Sequence, residues 1–225
     1  MANALVFGGS GQIGAACAGV LRGQGFDVIS TSRQGGEAVA AYDPLTDKLA
    51  LPGEGKFDAI VWAQGANLND SIVDFDLSRH RAIYDANVTY VLESLHALLV
   101  SDRLADGARL CVISSVWQAA ARPNKLSYMI SKAALQGLVL SAATDLADRG
   151  ILVNAVLPGA LDTPMTRQNL TPEQIDRISG MTKFGRLAAL GDVAALVAFL
   201  CSAANTSITG QFVAVDLGFQ NARLV

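Results

Sequence analysis

Charge is scarce in this chain: charged residues make up 16% of its 225 positions, and 17 Lys and Arg against 20 Asp and Glu leave a formal net charge of −3. The basic residues are scattered rather than clustered, so the electrostatic footprint of a nucleic-acid binder is missing. Cysteine is scarce too. Cys17, Cys111 and Cys201 are odd in number, far apart and set in apolar runs, with no CxxC pair and no Cys/His cluster. That excludes a disulfide framework and a zinc site, and reads as small-hydrophobe packing. His80 and His96 are the only histidines and share one helical pattern, where packing or an interface explains them; no metal is expected. No uninterrupted apolar run reaches the roughly 18 residues of a membrane span. The opening "NALVF" has neither a basic n-region nor a cleavable apolar segment. The expectation is a reduced, cytoplasmic protein with no nucleic-acid or membrane partner.

What is abundant is apolar or small. Hydrophobic residues reach 51% and glycine numbers 21, which argues against disorder and for close helix–sheet packing. Short β-branched runs at 4–7, 27–31, 38–42, 57–63, 108–114, 151–157 and 211–217 alternate with helical patterns at 12–23, 78–100, 126–149 and 191–203. Continuous apolar strands separated by helices call for a parallel sheet covered on both faces. The predicted fold is α/β, a doubly wound Rossmann-type sheet of about seven mostly parallel strands. No repeat or linker divides residues 1–225, so one domain is expected.

The first strand runs into "FGGSGQIGAA", with Gly8, Gly11 and Gly14 in a G-x-x-G-x-x-G spacing and Gly9 extra. After a strand and at the mouth of a helix, such glycines let backbone approach a pyrophosphate, and the helix N-terminus offers free N–H groups to it. Gly8, Ser10, Gly11, Gln12, Ile13 and Gly14 are the candidate contacts. The second strand ends "STSRQGG", with Ser32 and Arg33 where an NAD site usually carries an acid. A guanidinium there suits a 2′-phosphate, which favours NADP(H), with NAD(H) as the second choice.

"SYMISKAAL" places Tyr128 and Lys132 four residues apart, one turn above each other on a helix. A cation that close to a phenol is expected to draw its pKa down from about 10 towards neutrality. Ser115 lies thirteen residues earlier, where the fifth strand ends, and Asn87 interrupts the apolar pattern of the long helix. A hydroxyl at a strand's carboxyl end and a phenol on the next helix can both reach one carbonyl oxygen.

Together with "NAVLPGALDT" (154–163), "GR" (185–186) and "ITGQFVAVD" (208–216), these residues resemble the short-chain dehydrogenases/reductases, over nearly the whole chain. The chain is similar to the compact 3-oxoacyl carrier-protein reductases, with small ketones, sugars and steroid-like alcohols left open as substrates. The resemblance implies a hydride transfer between the cofactor and a carbonyl or secondary alcohol. It makes Tyr128 the acid/base, Lys132 the residue that lowers its pKa and holds the nicotinamide ribose, and Ser115 the residue that orients the substrate. Asn87 would hold a water linking Lys132 to solvent. Asp43 would meet the adenine amine, while Gly65, Pro158, Gly159 and Thr163 line the nicotinamide and diphosphate end. The stretch 164–184 would be a substrate lid, with a helix starting at Thr171-Pro172-Glu173. The helices at 78–100 and 126–149 would form a dimer or tetramer contact.

The chain departs from the family in four places, one being Phe7, which stands where a threonine often precedes the first glycine. The glycine turn is one residue tighter, "NNAG" reads "WAQG" (62–65), and "DGG" reads "DLG" (216–218). Two other functions stay open at this point. A cofactor-binding scaffold without catalysis is disfavoured by the intact Ser/Tyr/Lys/Asn set. An epimerase or dehydratase, suggested by the tight turn, would need about a hundred more residues.

Overall fold

The computed structural model of the chain describes residues 1–47, 49–163, 166–167 and 171–221. Strands β1 (Asn3–Phe7), β2 (Asp27–Ser32), β3 (Ala40–Ala41), β4 (Phe57–Trp62), β5 (Leu104–Ile113) and β6 (Leu152–Pro158) are followed by the two-residue strands β7 (Leu161–Asp162) and β8 (Ala188–Ala189), and then by β9 (Phe212–Val215). Seven of them make one sheet in the order β3-β2-β1-β4-β5-β6-β9, with every pairing parallel, and β7 pairs separately with β8. From β1 the chain winds outward first through β2 and β3, then through β4 to β9. The carboxyl ends of β1 and β4 therefore diverge at a topological switch point, where such sheets open a crevice.

Helices α1 (Gln12–Gly23), α2 (Pro44–Asp47), α3 (Leu77–Tyr84), α4 (Tyr90–Val100), α5 (Leu126–Asp145), α6 (Pro172–Ser179) and α7 (Leu190–Leu200) complete the described elements of four residues or more, apart from one π-helical segment. Alternation along β1 shows why both faces need cover. Leu5 and Phe7 join a core with Leu98 of α4 and Leu135 and Val139 of α5, while Ala4 and Val6 join one with Leu21 of α1 and Val193 and Val197 of α7. Cys17, Cys111 and Cys201 are free and buried in the second core. Burial, with Cys201 beside it, pushes the Cys17 thiol up to about 12, so it packs as an unreactive small hydrophobe.

Several expected elements differ in detail: α5 ends at Asp145 rather than 149, and the last strand runs Phe212–Val215 rather than 211–217. The third strand shrinks from 38–42 to Ala40–Ala41, because Ala38 has φ +55 and Val39 is drawn into an antiparallel bridge with Gly36. The fifth starts at Leu104 rather than 108, after a register shift between Phe57 and Ala59 of β4. The long helix is interrupted at Asp85–Thr89 by a π-helical segment. Among the described residues no helix is long and apolar enough to cross a membrane.

In the stretch that reads "WAQG", Trp62 is held from its ring nitrogen. Trp62 Nε1 donates to Ser94 Oγ at 2.8 Å, and Ser94 Oγ in turn donates to the Tyr90 carbonyl at 2.7 Å, tying β4 to α4. The Trp62 ring stacks on Phe7 at 5.7 Å, and Tyr90 meets Phe7 edge-on at 5.9 Å. These aromatic contacts form a firm floor beneath the switch point.

Candidate active site

At the end of β1 the glycines are demanded by close approach. Gly8 has φ +80, and a Cβ there would lie 2.5 Å from the Gln64 backbone N. A Cβ on Gly14 would lie 2.2 Å from the Gly8 carbonyl oxygen, and one on Gly9 2.6 Å from Ser30 Cβ. Gly11 is the N-cap of α1, and no side chain caps that helix, so its first-turn N–H groups remain available to an anion. Gln12 and Ile13 are the first two residues of that turn. Each clash is with the protein itself, so the glycines keep the turn packed against β2 and the chain after β4, and the uncapped N–H groups at the start of α1 are what fits a dinucleotide diphosphate. Gly14→Ala forces backbone against backbone. It is expected to cost about 3 kcal/mol in urea unfolding and to abolish dinucleotide binding, read by nicotinamide fluorescence.

A cleft of about 500 Å³ opens over this turn, lined by Gly8, Ser10, Gly11, Ser32, Arg33 and Gly65 from the expected set. Gln34, Gln64, Asp85 and Tyr90 also line it, and the sequence reading missed them. Asp43 sits beside it at the turn into α2, where its Oδ1 accepts the Leu45 N–H at 3.1 Å. Pro158, Gly159 and Thr163 lie at and beyond the end of β6, outside that lining. Gly159 has its own reason to lack a side chain, because a Cβ there would lie 2.8 Å from Asp216 Cβ. Thr163 Oγ1 accepts the Thr166 N–H at 3.1 Å, which starts the next turn.

Ser115, Tyr128, Lys132 and Asn87 do converge, through α5. Ser115 follows β5, is buried, and accepts the Trp117 N–H at 3.3 Å. Its hydroxyl lies close enough to the Tyr128 phenol to lower that group's pKa. Lys132 is buried, with Nζ 5.9 Å from the Tyr128 ring centroid and donating to the Ile113 carbonyl at 3.0 Å. Asn87 lies in the π-helical segment. Its Oδ1 accepts the Ala66 N–H at 2.7 Å, while Nδ2 donates to the Ala66 carbonyl at 3.1 Å and to Ser131 Oγ at 2.8 Å. Ser131 Oγ then donates to the Tyr128 carbonyl at 2.7 Å. Gly65 makes room for this arrangement: a Cβ there would be 3.0 Å from Asn87 Oδ1.

The expected effect of Lys132 on Tyr128 is corrected. Burial raises the Tyr128 phenol above its ordinary value, and the nearby Ser115 hydroxyl pulls it back only in part. Lys132 itself is brought down to about 8 by burial. The ammonium is committed to the Ile113 carbonyl, so desolvation governs both groups. A neutral phenol near a serine hydroxyl presents two O–H donors that can turn to one oxygen atom.

Of the expected lid, residues 164–165 and 168–170 lie outside the described residues. The helix predicted at Thr171-Pro172-Glu173 is α6, with a capping box between Thr171 and Gln174.

A family model described as enoyl-(acyl carrier protein) reductase matches residues 50–220. The 3-oxoacyl-[acyl-carrier-protein] reductase FabG of Haemophilus influenzae is 33% identical over 234 residues, covering 96% of this chain and 96% of that protein. FabG of Escherichia coli is 30% identical with the same coverage. Among solved structures, a short chain dehydrogenase family protein from Francisella tularensis superposes with a TM-score of 0.89 at 28% identity, covering 99% of this chain and 100% of the other. The aldohexose dehydrogenase of Thermoplasma acidophilum does so with a TM-score of 0.89 at 26% identity, covering 100% and 96%. Matched along its length in both sequence and fold, the chain belongs to the short-chain dehydrogenase/reductase family and is an oxidoreductase.

Proposed function

We propose that the chain transfers a hydride between NADP(H) and a carbonyl or secondary alcohol, with Ser115, Tyr128, Lys132 and Asn87 as the working set. The observation that carries this reading is the buried Lys132, which donates to the Ile113 carbonyl at the end of β5 and holds its Nζ 5.9 Å from the Tyr128 ring centroid, with the Ser115 hydroxyl near the phenol. When bound, the dinucleotide supplies or accepts the hydride. The glycine turn and the N-terminus of α1 would hold its diphosphate, Lys132 its nicotinamide ribose, and Ser32 and Arg33 a 2′-phosphate.

In the reducing direction the Tyr128 O–H protonates the substrate oxygen as negative charge builds there. The Ser115 O–H is a second donor to the same atom, and both act in a site partly shielded from water. The Lys132 ammonium stands behind Tyr128 with a pKa of about 8, close enough to neutrality to pass a proton on. Asn87 fastens the chain after β4 to α5 and keeps the ribose side and the phenol side in register. The named activity of the FabG relatives supports a 3-oxoacyl thioester as the first substrate class to assay. Leu92 is 54% exposed and Val100 59% on α4, and Leu140 is 47% exposed on α5. That apolar surface supports a homodimer or homotetramer built on these two helices.

The test is a side-by-side titration with NADPH and NADH, followed by a carbonyl screen with the tighter of the two. NADPH is expected to bind more tightly, and Arg33→Ala to weaken it about 10- to 100-fold while leaving NADH unchanged. Equal weakening of both, or a preference for NADH, removes Arg33 as a phosphate clamp. Binding of neither removes the reductase reading itself.

A further inference from the structure

We infer that His80 is a positioning residue for Tyr128, acting through a buried hydrogen-bonded chain, His80–Ser127–Asp70, that fixes the first turn of α5. The inference rests on the role proposed for Tyr128.

Helix α5 begins without a side-chain cap of its own, since its N-cap position is Lys125. Its first donors are satisfied from a loop more than fifty residues away. The Leu126 N–H reaches the Asp70 carbonyl at 3.2 Å, and the Ser127 N–H reaches Asp70 Oδ1 at 3.0 Å. Ser127 is completely buried and Asp70 nearly so. A buried carboxylate at a helix start is held by the helix dipole as well as by these bonds.

The serine hydroxyl carries the argument to His80. Ser127 Oγ is bonded both to Asp70 Oδ2 and, at 2.9 Å, to His80 Nδ1. A hydroxyl has one hydrogen and a carboxylate can only accept, so Ser127 donates to Asp70. Ser127 must then accept from His80, and the imidazole carries its proton on Nδ1. A side chain without a donor at that point leaves one lone pair of a fully buried oxygen unmatched.

The ring itself is firmly set. His80 lies in the first turns of α3, where its N–H bonds the Asp76 carbonyl at 2.9 Å, and its imidazole sits 5.6 Å from Phe75 and 6.2 Å from Tyr84. On the other side of Asp70, Lys125 Nζ donates to Asn67 Oδ1 at 2.6 Å and to Asn69 Oδ1 at 2.5 Å, and lies 5.6 Å from the Tyr128 ring centroid. Three segments thus converge on the residue immediately before Tyr128. Displacing that residue by a fraction of an ångström moves the phenol relative to Ser115, and proton transfer is sensitive to shifts of that size.

The test uses the full chain and two variants. His80→Phe keeps an aromatic ring and removes the donor, whereas His80→Asn restores an N–H close to the Nδ1 position. In His80→Phe the amides of Leu126 and Ser127 are expected to exchange about 10-fold faster, and the ¹³C-labelled Tyr128 ring signal to move. Both are expected to return in His80→Asn. With ethyl acetoacetate and NADPH, kcat is expected to fall about 10- to 100-fold in His80→Phe with KM for NADPH unchanged, and to recover in His80→Asn. Wild-type exchange and an unmoved Tyr128 signal in His80→Phe overturn the proposal, as does an equal loss in both variants. Failure of the wild type to reduce the keto ester counts against the reductase reading alone, and the exchange and ring signals then decide. If His80→Phe does not fold, Ser127→Ala cuts the same chain at its middle and must show both signal changes; their absence overturns the proposal.

Discussion

Tyr128→Phe is expected to lower turnover about 10²- to 10⁴-fold while NADPH still binds. The substitution removes one oxygen and leaves the ring, so the contacts with Lys125 and Lys132, at 5.6 and 5.9 Å from its centroid, stay in place. Nothing in the glycine turn or the cleft lining changes, and cofactor affinity is expected to stay within about threefold, around 0.6 kcal/mol. The lost quantity is the proton. Ser115 alone can donate a hydrogen bond to the substrate oxygen, but its hydroxyl is far too weak an acid to complete the reduction. Because burial holds the phenol above its ordinary pKa, the unliganded enzyme carries a protonated Tyr128 at neutral pH, ready for reduction. Alcohol oxidation needs the deprotonated form, so its rate is expected to climb with pH through the alkaline range, and Tyr128→Phe to lack that slope. Steady-state rates in both directions, measured beside a fluorescence titration, test the assignment. Near-normal turnover in the variant would end it.

The second large effect concerns stability. Lys132 has a pKa of about 8 in the folded chain against an ordinary 10.5. Below pH 8 the lysine is protonated in both folded and unfolded chains, and the folded state bears the full cost of a buried ammonium. Between about 8 and 10.5 the unfolded chain binds more protons, so stability rises with pH across that window. Lys132→Met has no such term. From pH 7 to pH 10 the wild type is expected to gain about 2–3 kcal/mol on the variant, measured as the difference between two urea unfolding curves at each pH. A difference that does not change with pH contradicts a desolvated ammonium at this position. A residue that lowers stability at neutral pH and still occupies the site has a purpose other than packing.

How much of this was legible beforehand depended on distance along the chain. Tyr128 and Lys132 declare themselves because a helix turns four residues into neighbours. The glycine turn declares itself because each glycine answers a local clash. Arg33 was found from its position at the end of a strand. Asp70, Ser127 and His80 gave no such signal: the bonds joining them span 57 and 47 residues, and each residue type is unremarkable in its own segment. The raised phenol pKa of Tyr128 was equally hidden. Spacing alone puts the Lys132 charge beside it, while the Ile113 carbonyl that engages the ammonium comes from another strand. Gln64 entered only as a departure from a family pattern, and the structure leaves its buried Oε1 without a hydrogen-bond partner.

The π-helical segment at Asp85–Thr89 constrains how the chain can vary in length. A π turn holds one residue more than an α turn, and here the extra residue lets Asp85 and Ala86 reach the cleft while Asn87 turns to Ala66 and Ser131. Deleting one residue of that turn would close it into ordinary α-helix with α3 and α4 still in phase, and the cost would fall on the bulged residues, whose side chains would be redirected. Deleting a residue of α3 or α4 outside the turn would instead rotate one half against the other by about 100°, so that His80 on one half and the exposed Leu92 face on the other fall out of phase. The count is thus fixed in α3 and in α4, and the π turn between them is the one place where a residue can be lost while the two halves keep their phase.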